Sequence, residues 1–297
     1  MKRFLSILLA ILMLTTTFAL ASCGGNETVT DSNSESVSDS VSDTVEDTES
    51  ADTDATGSDA AYIEGNGEMI IGITYFEPMN YFDGNGELVG FETEFATAVC
   101  KKLGVTPKFQ EINWSSKEIE LNAKGIDCIW NGMTITDERK ANMEISVPYM
   151  SNEQVIITKA DVAADYTTAG SLDGKIVVAE AGSAGEELAS TDEFFAGATF
   201  TPVDTMAKAI MEVAAGTADA CVVDYITALG MIGNGTDYAD LVKVEGVEFD
   251  KEEYGIAFRK GSDMTEKVNA VIAELYADGT LADIAEWYNL GTQIIAQ

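Results

Sequence analysis

Nine consecutive residues, Asn131-Gly132-Met133-Thr134-Ile135-Thr136-Asp137-Glu138-Arg139, combine hydroxyls, a flexible backbone and a guanidinium. They follow directly on the apolar run 126–130. A second strand-like run, 219–223, ends at Asp224. One strand end thus leads to a planar cationic fork and the other to a carboxylate. That pair complements an α-amino acid zwitterion: its carboxylate suits the fork and its ammonium suits the anion. Gly132 permits close backbone approach to a ligand. Each residue also has a plainer use. Arg139 could cap a helix or pair with Glu138, Thr134 and Thr136 could make local turn bonds, and Asp224 could N-cap the next helix.

The surrounding pattern says what positions these residues. The run 69–74 is continuously apolar, as in a strand buried on both faces. Phe91, Phe95, Ala98, Val99 and Cys100 recur at helical spacing before Gly104. A strand at 108–112, a helix at 116–123 and the strand 126–130 complete a β-α-β-α-β unit, which implies a parallel sheet with right-handed crossovers. A second unit repeats the order. It has a strand at 175–180, a helix from about Gly185 and a strand at 199–203. Asp204 then N-caps a helix carrying Ala207, Ile210, Met211 and Ala214, and strand 219–223 follows. A strand at 254–259 and helices at 264–276 and 281–287 end the chain. In such α/β units ligands bind beyond the carboxyl ends of strands and between domains.

Composition excludes several functions. The chain has 297 residues, 51 Asp and Glu against 17 Lys and Arg, and a net charge of −34, which argues against a nucleic-acid partner. It has no His, so Ser-His-Asp and Cys-His catalysis and His-ligated metals are excluded. The charge is unevenly placed. Lys2 and Arg3 precede a short apolar stretch, 4–14, and then Leu20-Ala21-Ser22-Cys23. This has the form of a leader too short to span a membrane comfortably. It resembles the bacterial lipobox, in which the Cys is lipidated and becomes the new N-terminus. Residues 24–61 hold eleven acids, no Lys or Arg and almost no large apolar side chain, the composition of a disordered, self-repelling linker. Cys100, Cys128 and Cys221 read as buried thiols, with one disulfide left open. Asp83, Asn85, Glu87 and Glu94 mimic a calcium loop, but Leu88 stands where that loop needs Gly, and the segment reads as a turn before a helix.

Beyond the linker the chain resembles the bacterial extracellular solute-binding proteins of family 3, the amino-acid receptors of ABC importers. The resemblance spans 62–297. It rests on Gly132-Met133-Thr134-Ile135-Thr136-Asp137-Glu138-Arg139 followed by Ser146-Val147-Pro148-Tyr149. Gly90-Phe91-Glu92, Leu172-Asp173-Gly174-Lys175 and Tyr254-Gly255-Ile256-Ala257 support it in order. The resemblance implies that Arg139 clasps the ligand α-carboxylate, with Thr134, the Gly132 backbone and Asn131 beside it. It implies that Asp224 receives the α-ammonium, that Ser183 contributes from a helix N-terminus, and that Trp114 and Phe76 pack on the ligand. Position 180 is Glu, where amino-acid receptors often carry a base, and Glu77 stands in the first ligand loop. Two acids there would suit a polar or cationic side chain.

The resemblance further implies an α/β, type II periplasmic-binding-protein fold. Each of its two lobes is a mostly parallel sheet flanked by helices, and a two-crossing hinge joins them. The expected organisation is a signal peptide at 1–22, a lipidated Cys23 with a linker at 23–61, lobe one at 62–149 and 254–297, lobe two at 154–250, and hinge crossings at 150–153 and 251–253. The expected function is capture of a free amino acid by hinge closure and its delivery to an ABC permease. The protein would act as a monomer, lipid-anchored on the extracytoplasmic face, with no cofactor, metal or catalysis. The alternatives are a dehydratase-like cleft enzyme of the same fold or a ligand-sensing receptor domain.

Overall fold

The structure, a computed structural model, describes residues 57–297; Cys23, the leader and most of the acidic linker lie outside the described residues. The first part of the chain runs α1 (Asp59–Asn66), β1 (Glu68–Ile73), a short hairpin of β2 (Tyr81–Phe82) and β3 (Leu88–Val89), α2 (Phe91–Leu103), β4 (Thr106–Glu111), α3 (Lys117–Asn122), β5 (Cys128–Ile129), α4 (Asp137–Asn142) and β6 (Met143–Ile145). A ten-residue strand, β7 (Met150–Lys159), leads into the second part. There follow β8 (Ile176–Glu180), α5 (Ala184–Thr191), β9 (Thr199–Val203), α6 (Met206–Ala215), β10 (Ala220–Asp224), α7 (Tyr225–Met231) and β11 (Leu241–Lys243). The chain returns through β12 (Lys251–Tyr254) to β13 (Ala257–Arg259), α8 (Met264–Ala277) and α9 (Thr280–Trp287).

Two sheets result. The first has the order β4-β1-β5-β13-β6, in which β4, β1 and β5 are parallel and β13 runs antiparallel to β5 and β6. The second has the order β11-β7-β10-β8-β9, with β9, β8 and β10 parallel and β7 antiparallel to β10 and β11. Each repeated βαβαβ unit therefore supplies three parallel strands, and the chain segments that cross between sheets add antiparallel ones. The central strands are apolar in their middles because both faces are covered: Ile71 and Ile73 in β1 and Val222 and Val223 in β10 are all buried. Full burial of each such side chain contributes about 1.5–3 kcal/mol.

The two parts meet along a ribbon. The first four residues of β7 pair antiparallel with β12, Met150 with Tyr254 through Glu153 with Lys251. From Gln154 onward the same strand belongs to the second sheet. The C-terminal segment lies alongside, with Met150 bridging to Ile294 and Ile295 N donating to Tyr149 O at 3.0 Å.

Several details differ from the sequence-based expectations. Asp59 to Ala61 are helical, although composition places them in the linker. Ser58 caps α1 by accepting from Ala61 N at 2.9 Å. Asp59 is held by Arg259, whose Nε donates to its Oδ1 at 2.8 Å, while Ser262 Oγ donates to Oδ2 at 2.7 Å. Arg259 also reaches Asp127 at 3.2 Å, so one guanidinium ties α1 to the first sheet. Thr205, not Asp204, caps α6, and Asp204 pairs instead with Lys208 at 3.0 Å. The buried face of α6 is Met206, Ala209, Ile210 and Val213, and Met211 is 54% exposed. The strand expected at 254–259 is two strands, broken at Gly255, where a Cβ would sit 2.7 Å from Ile145 and 2.9 Å from Ile135 side-chain carbons. Cys100, Cys128 and Cys221 are all buried and free.

Candidate functional site

The residues beyond the carboxyl ends of β5 and β10 converge in one network: Arg139 bonds Thr134, Thr134 bonds Glu252, and Gln154 joins Glu252 to Asp224. Arg139 lies on α4, whose N-terminus is capped by Thr136 Oγ1 accepting from Arg139 N at 3.1 Å. Its side chain is nine-tenths buried. Nη1 donates to Thr134 O at 2.6 Å and Nη2 to Gly182 O at 3.2 Å, across to the loop after β8. Two of its five donors are thus engaged, and the fork keeps others for a ligand carboxylate. Burial lowers its pKa, and the charges of Asp224 and Glu252 oppose that shift.

Asp224 occupies the N-cap position of α7 but makes no capping bond. Its Oδ1 accepts from Gln154 Nε2 at 2.5 Å and its Oδ2 from Tyr254 OH at 2.6 Å. The donors lie on β7 and β12, the two strands that run between the two parts of the chain, and they hold the acid in place. Burial pushes the Asp224 carboxyl up to about 7, and Glu252 adds to the shift. Thr134 Oγ1 donates to Glu252 Oε2 at 3.0 Å, as does Gln154 Nε2, also at 3.0 Å.

Gly132 has φ +56°, and a Cβ there would lie 3.3 Å from Phe76 Cζ and 3.4 Å from the Tyr254 ring. Its N–H donates to Glu92 Oε1 at 2.8 Å, and Tyr149 OH donates to the same oxygen. Glu92 is fully buried, and burial raises its pKa to about 7. Asn131 is taken up by the frame: Thr74 Oγ1 donates to its Oδ1 at 2.6 Å and its Nδ2 donates to Thr74 O at 2.9 Å. Ser183 caps α5, its Oγ accepting from Glu186 N at 3.1 Å. Phe76 and Trp114 are buried at the junction. Glu180 is 2% exposed, and burial raises its carboxyl to about 8, with the Asp224 charge adding and Lys117 opposing. The Glu77 side chain is exposed and outside this buried group, although its backbone abuts α7 at Gly230.

The structure brings in residues the sequence did not single out. Lys117, 6% exposed, donates to Trp114 O at 3.2 Å and Gly182 O at 3.0 Å, with its ammonium 4.7 Å from the Trp114 ring centroid. The signal for it is a Lys four residues before Leu121 on the buried stripe of α3. Gln154, polar at the head of an apolar strand, and Tyr254 position Asp224, while Glu92 and Tyr149 position Gly132. Gln154 and Glu252 also border a cavity of about 350 Å³ whose walls include Glu187, Glu248 and Asp250, so the approach to the site is acidic.

Comparison with known proteins places this arrangement. Residues 69–291 match the family model of the bacterial extracellular solute-binding proteins, family 3. The chain belongs to that family. Among curated relatives of this solute-binding protein, the L-cystine-binding protein TcyJ of Escherichia coli K12 is 32% identical over 230 residues, covering 76% of this chain and 84% of the relative. Among solved structures, a mutant of ArgBP from T. maritima superposes with a TM-score of 0.71 at 32% identity, covering 78% of this chain and 99% of the other. An ABC uptake transporter substrate-binding protein from Streptococcus pneumoniae with bound histidine gives 0.71 at 30% identity, covering 78% and 96%. The two-lobed, type II periplasmic-binding fold of this solute-binding protein is shared with these structures.

Proposed function

We propose that this chain is an extracytoplasmic substrate-binding lipoprotein of an ABC importer, which closes on a free amino acid between its lobes and delivers it to a membrane permease. The observation that carries the reading is that Arg139, on α4 beyond β5, and Asp224, at the end of β10, belong to one buried cluster. The α-carboxylate takes the free donors of Arg139, and the α-ammonium takes the remaining lone pairs of Asp224. Phe76 and Trp114 pack on the ligand, and Thr134 and Ser183 lie within the same wall. Asn131, Glu92 and Gly132 shape that wall. Relatives named for L-cystine and a structure holding histidine support an amino acid as the ligand class. The pneumococcal protein, a substrate-binding protein of an ABC uptake transporter, supports the permease partner.

Closure is assigned to the β7–β12 ribbon, with hinge crossings at 150–153 and 251–253, lobe one at 62–149 with 254–297, and lobe two at 154–250. The same strands carry Gln154 and Tyr254, which grip Asp224, so closing the hinge and presenting the ammonium site are one motion. Cys23 carries the lipid, and the acidic linker holds the binding unit off the membrane near its permease. Binding, not turnover, is the work of the cleft.

The test is a thermal shift against single amino acids. At 100 times its dissociation constant a ligand adds about 2.7 kcal/mol of stability. A panel in which no amino acid shifts the transition would sink the reading. Arg139→Ala is expected to abolish the shift while leaving the fold intact, and retained affinity would remove Arg139 from the carboxylate role.

A further inference from the structure

Arg139 and Asp224 make one pair of opposite charges, enough for one zwitterionic head. The cluster contains a second pair. Lys117 comes from the first turn of α3 in the first sheet's half, and Glu180 ends β8 in the other. Both are buried, at 6% and 2% exposure. Lys117 Nζ reaches the oxygen of Gly182, two residues beyond Glu180, at 3.0 Å, yet no hydrogen bond joins the two side chains among the described residues. Glu180 Oε1 has no partner there, nor does the Nε1 of Trp114, the ring that carries the lysine. A buried acceptor left unpaired costs about 1–3 kcal/mol, more when charged. A buried Lys and Glu kept only for packing would be better replaced by apolar side chains. The unsatisfied atoms therefore point to a ligand.

The two cations are linked through one atom. Arg139 Nη2 and Lys117 Nζ donate to the same Gly182 oxygen, at 3.2 and 3.0 Å, so the nitrogens are within about 6 Å of each other. Two carboxylates bound to them must belong to groups separated by a short linker. The acids are likewise neighbours: β8 pairs in parallel with β10, Val178 beside Cys221, and Glu180 and Asp224 are the last residues of those two strands.

We propose that Lys117 and Glu180 form a second head-group subsite, so that the ligand is a small molecule with two α-amino-acid heads on a short linker. One head pairs with Arg139 and Asp224. The other places its carboxylate on Lys117 and its ammonium on Glu180, with Trp114 against the linker. The inference rests on the amino-acid reading above and narrows its ligand. A ligand with a merely cationic side chain would meet the Lys117 ammonium, and one with a merely acidic side chain would leave Glu180 unpaired.

The experiment is isothermal titration of the protein, its Lys117→Gln and Glu180→Gln variants, with L-cystine as the two-headed probe. S-methyl-L-cysteine is the one-headed match, and L-arginine and L-glutamate are the singly charged side chains. Circular dichroism melts confirm that both variants fold, and the near-isosteric Glu180→Gln serves if Lys117→Gln does not. The expected result is at least tenfold tighter binding of L-cystine than of the other three. Each variant loses at least tenfold more affinity for L-cystine than for S-methyl-L-cysteine. Preference for arginine, glutamate or S-methyl-L-cysteine, or unchanged L-cystine affinity in a folded variant, overturns the subsite but leaves the amino-acid reading standing. Failure of the unmodified protein to bind any of the four, together with silence from the wider amino-acid panel, overturns both.

Discussion

Three buried carboxyls dominate the behaviour of single residues. Glu92 and Asp224 are pushed up to about 7 and Glu180 to about 8, in each case first by burial. An acid whose folded pKa lies above its unfolded value stabilises most at low pH, and that stability is lost as pH rises through the folded value. The melting temperature should therefore fall by roughly 10 °C or more between pH 5.5 and 8. Each unit of pKa corresponds to about 1.4 kcal/mol, and each kcal/mol to ~2–4 °C in a domain of this size. Lys117, lowered to about 8, acts in the opposite sense only above that pH. Glu92→Gln keeps an acceptor for the Gly132 N–H and should flatten part of the slope; an unchanged profile would contradict the assignment. Ligand binding shares the same groups. Asp224 is faced by Glu252, Glu92, Glu180 and Arg139 and bonded by Gln154 and Tyr254. A ligand ammonium replaces the proton as its counter-charge. At pH 6.5 binding should expel protons and tighten as pH rises to 7.5. Titration in buffers of different ionisation enthalpy measures this, and proton uptake at pH 6.5 would count against it.

Among the elements, α7 packs closely at Gly230 on the loop after β1. A Cβ at Gly230 would lie 2.5 Å from Glu77 C, 2.6 Å from Glu77 O and 2.7 Å from Pro78 Cδ. Those atoms are backbone and ring and yield little, whereas Ala within the helix is itself favourable by up to about 1 kcal/mol. Gly230→Ala should hold the lobes apart, lowering ligand affinity at least tenfold with little change in ligand-free stability. Calorimetry and small-angle scattering with and without ligand check this; undiminished closure would show the contact to be dispensable. The same scale shows what the sequence could convey. The two βαβαβ units and the segments that carry Arg139 and Asp224 were legible because continuous apolar runs, turn residues and side-chain chemistry are local. The face of α6 was not, since apolar residues surround that helix and adjacent Asp204 and Thr205 can both cap it. Lys117 was hidden beside Glu118 in an apparently solvent-facing start to a helix. The grip of Gln154 and Tyr254 on Asp224 arises only when β7, β10 and β12 come together, a tertiary fact that no window of sequence contains.

For the whole molecule, the charge of −34 is divided between a polar linker and an acidic binding unit, and the acidic cavity beside the cleft favours the approach of ammonium groups over anions. If Cys23 carries the anchor, Cys23→Ser should shift the protein from the membrane fraction to the soluble one and remove palmitate labelling; an unchanged partition would exclude lipid attachment there. The Arg259 contact with Asp59 and Asp127 adds a mechanical consequence. Tension on the N-terminal chain enters the folded part at α1, passes along the backbone to β1 and through Arg259 to β13, and is carried by the first sheet. It does not traverse the β7–β12 ribbon. Pulling on the tether therefore does no work on the hinge, and ligand should dissociate from a loaded molecule at the same rate as from a slack one.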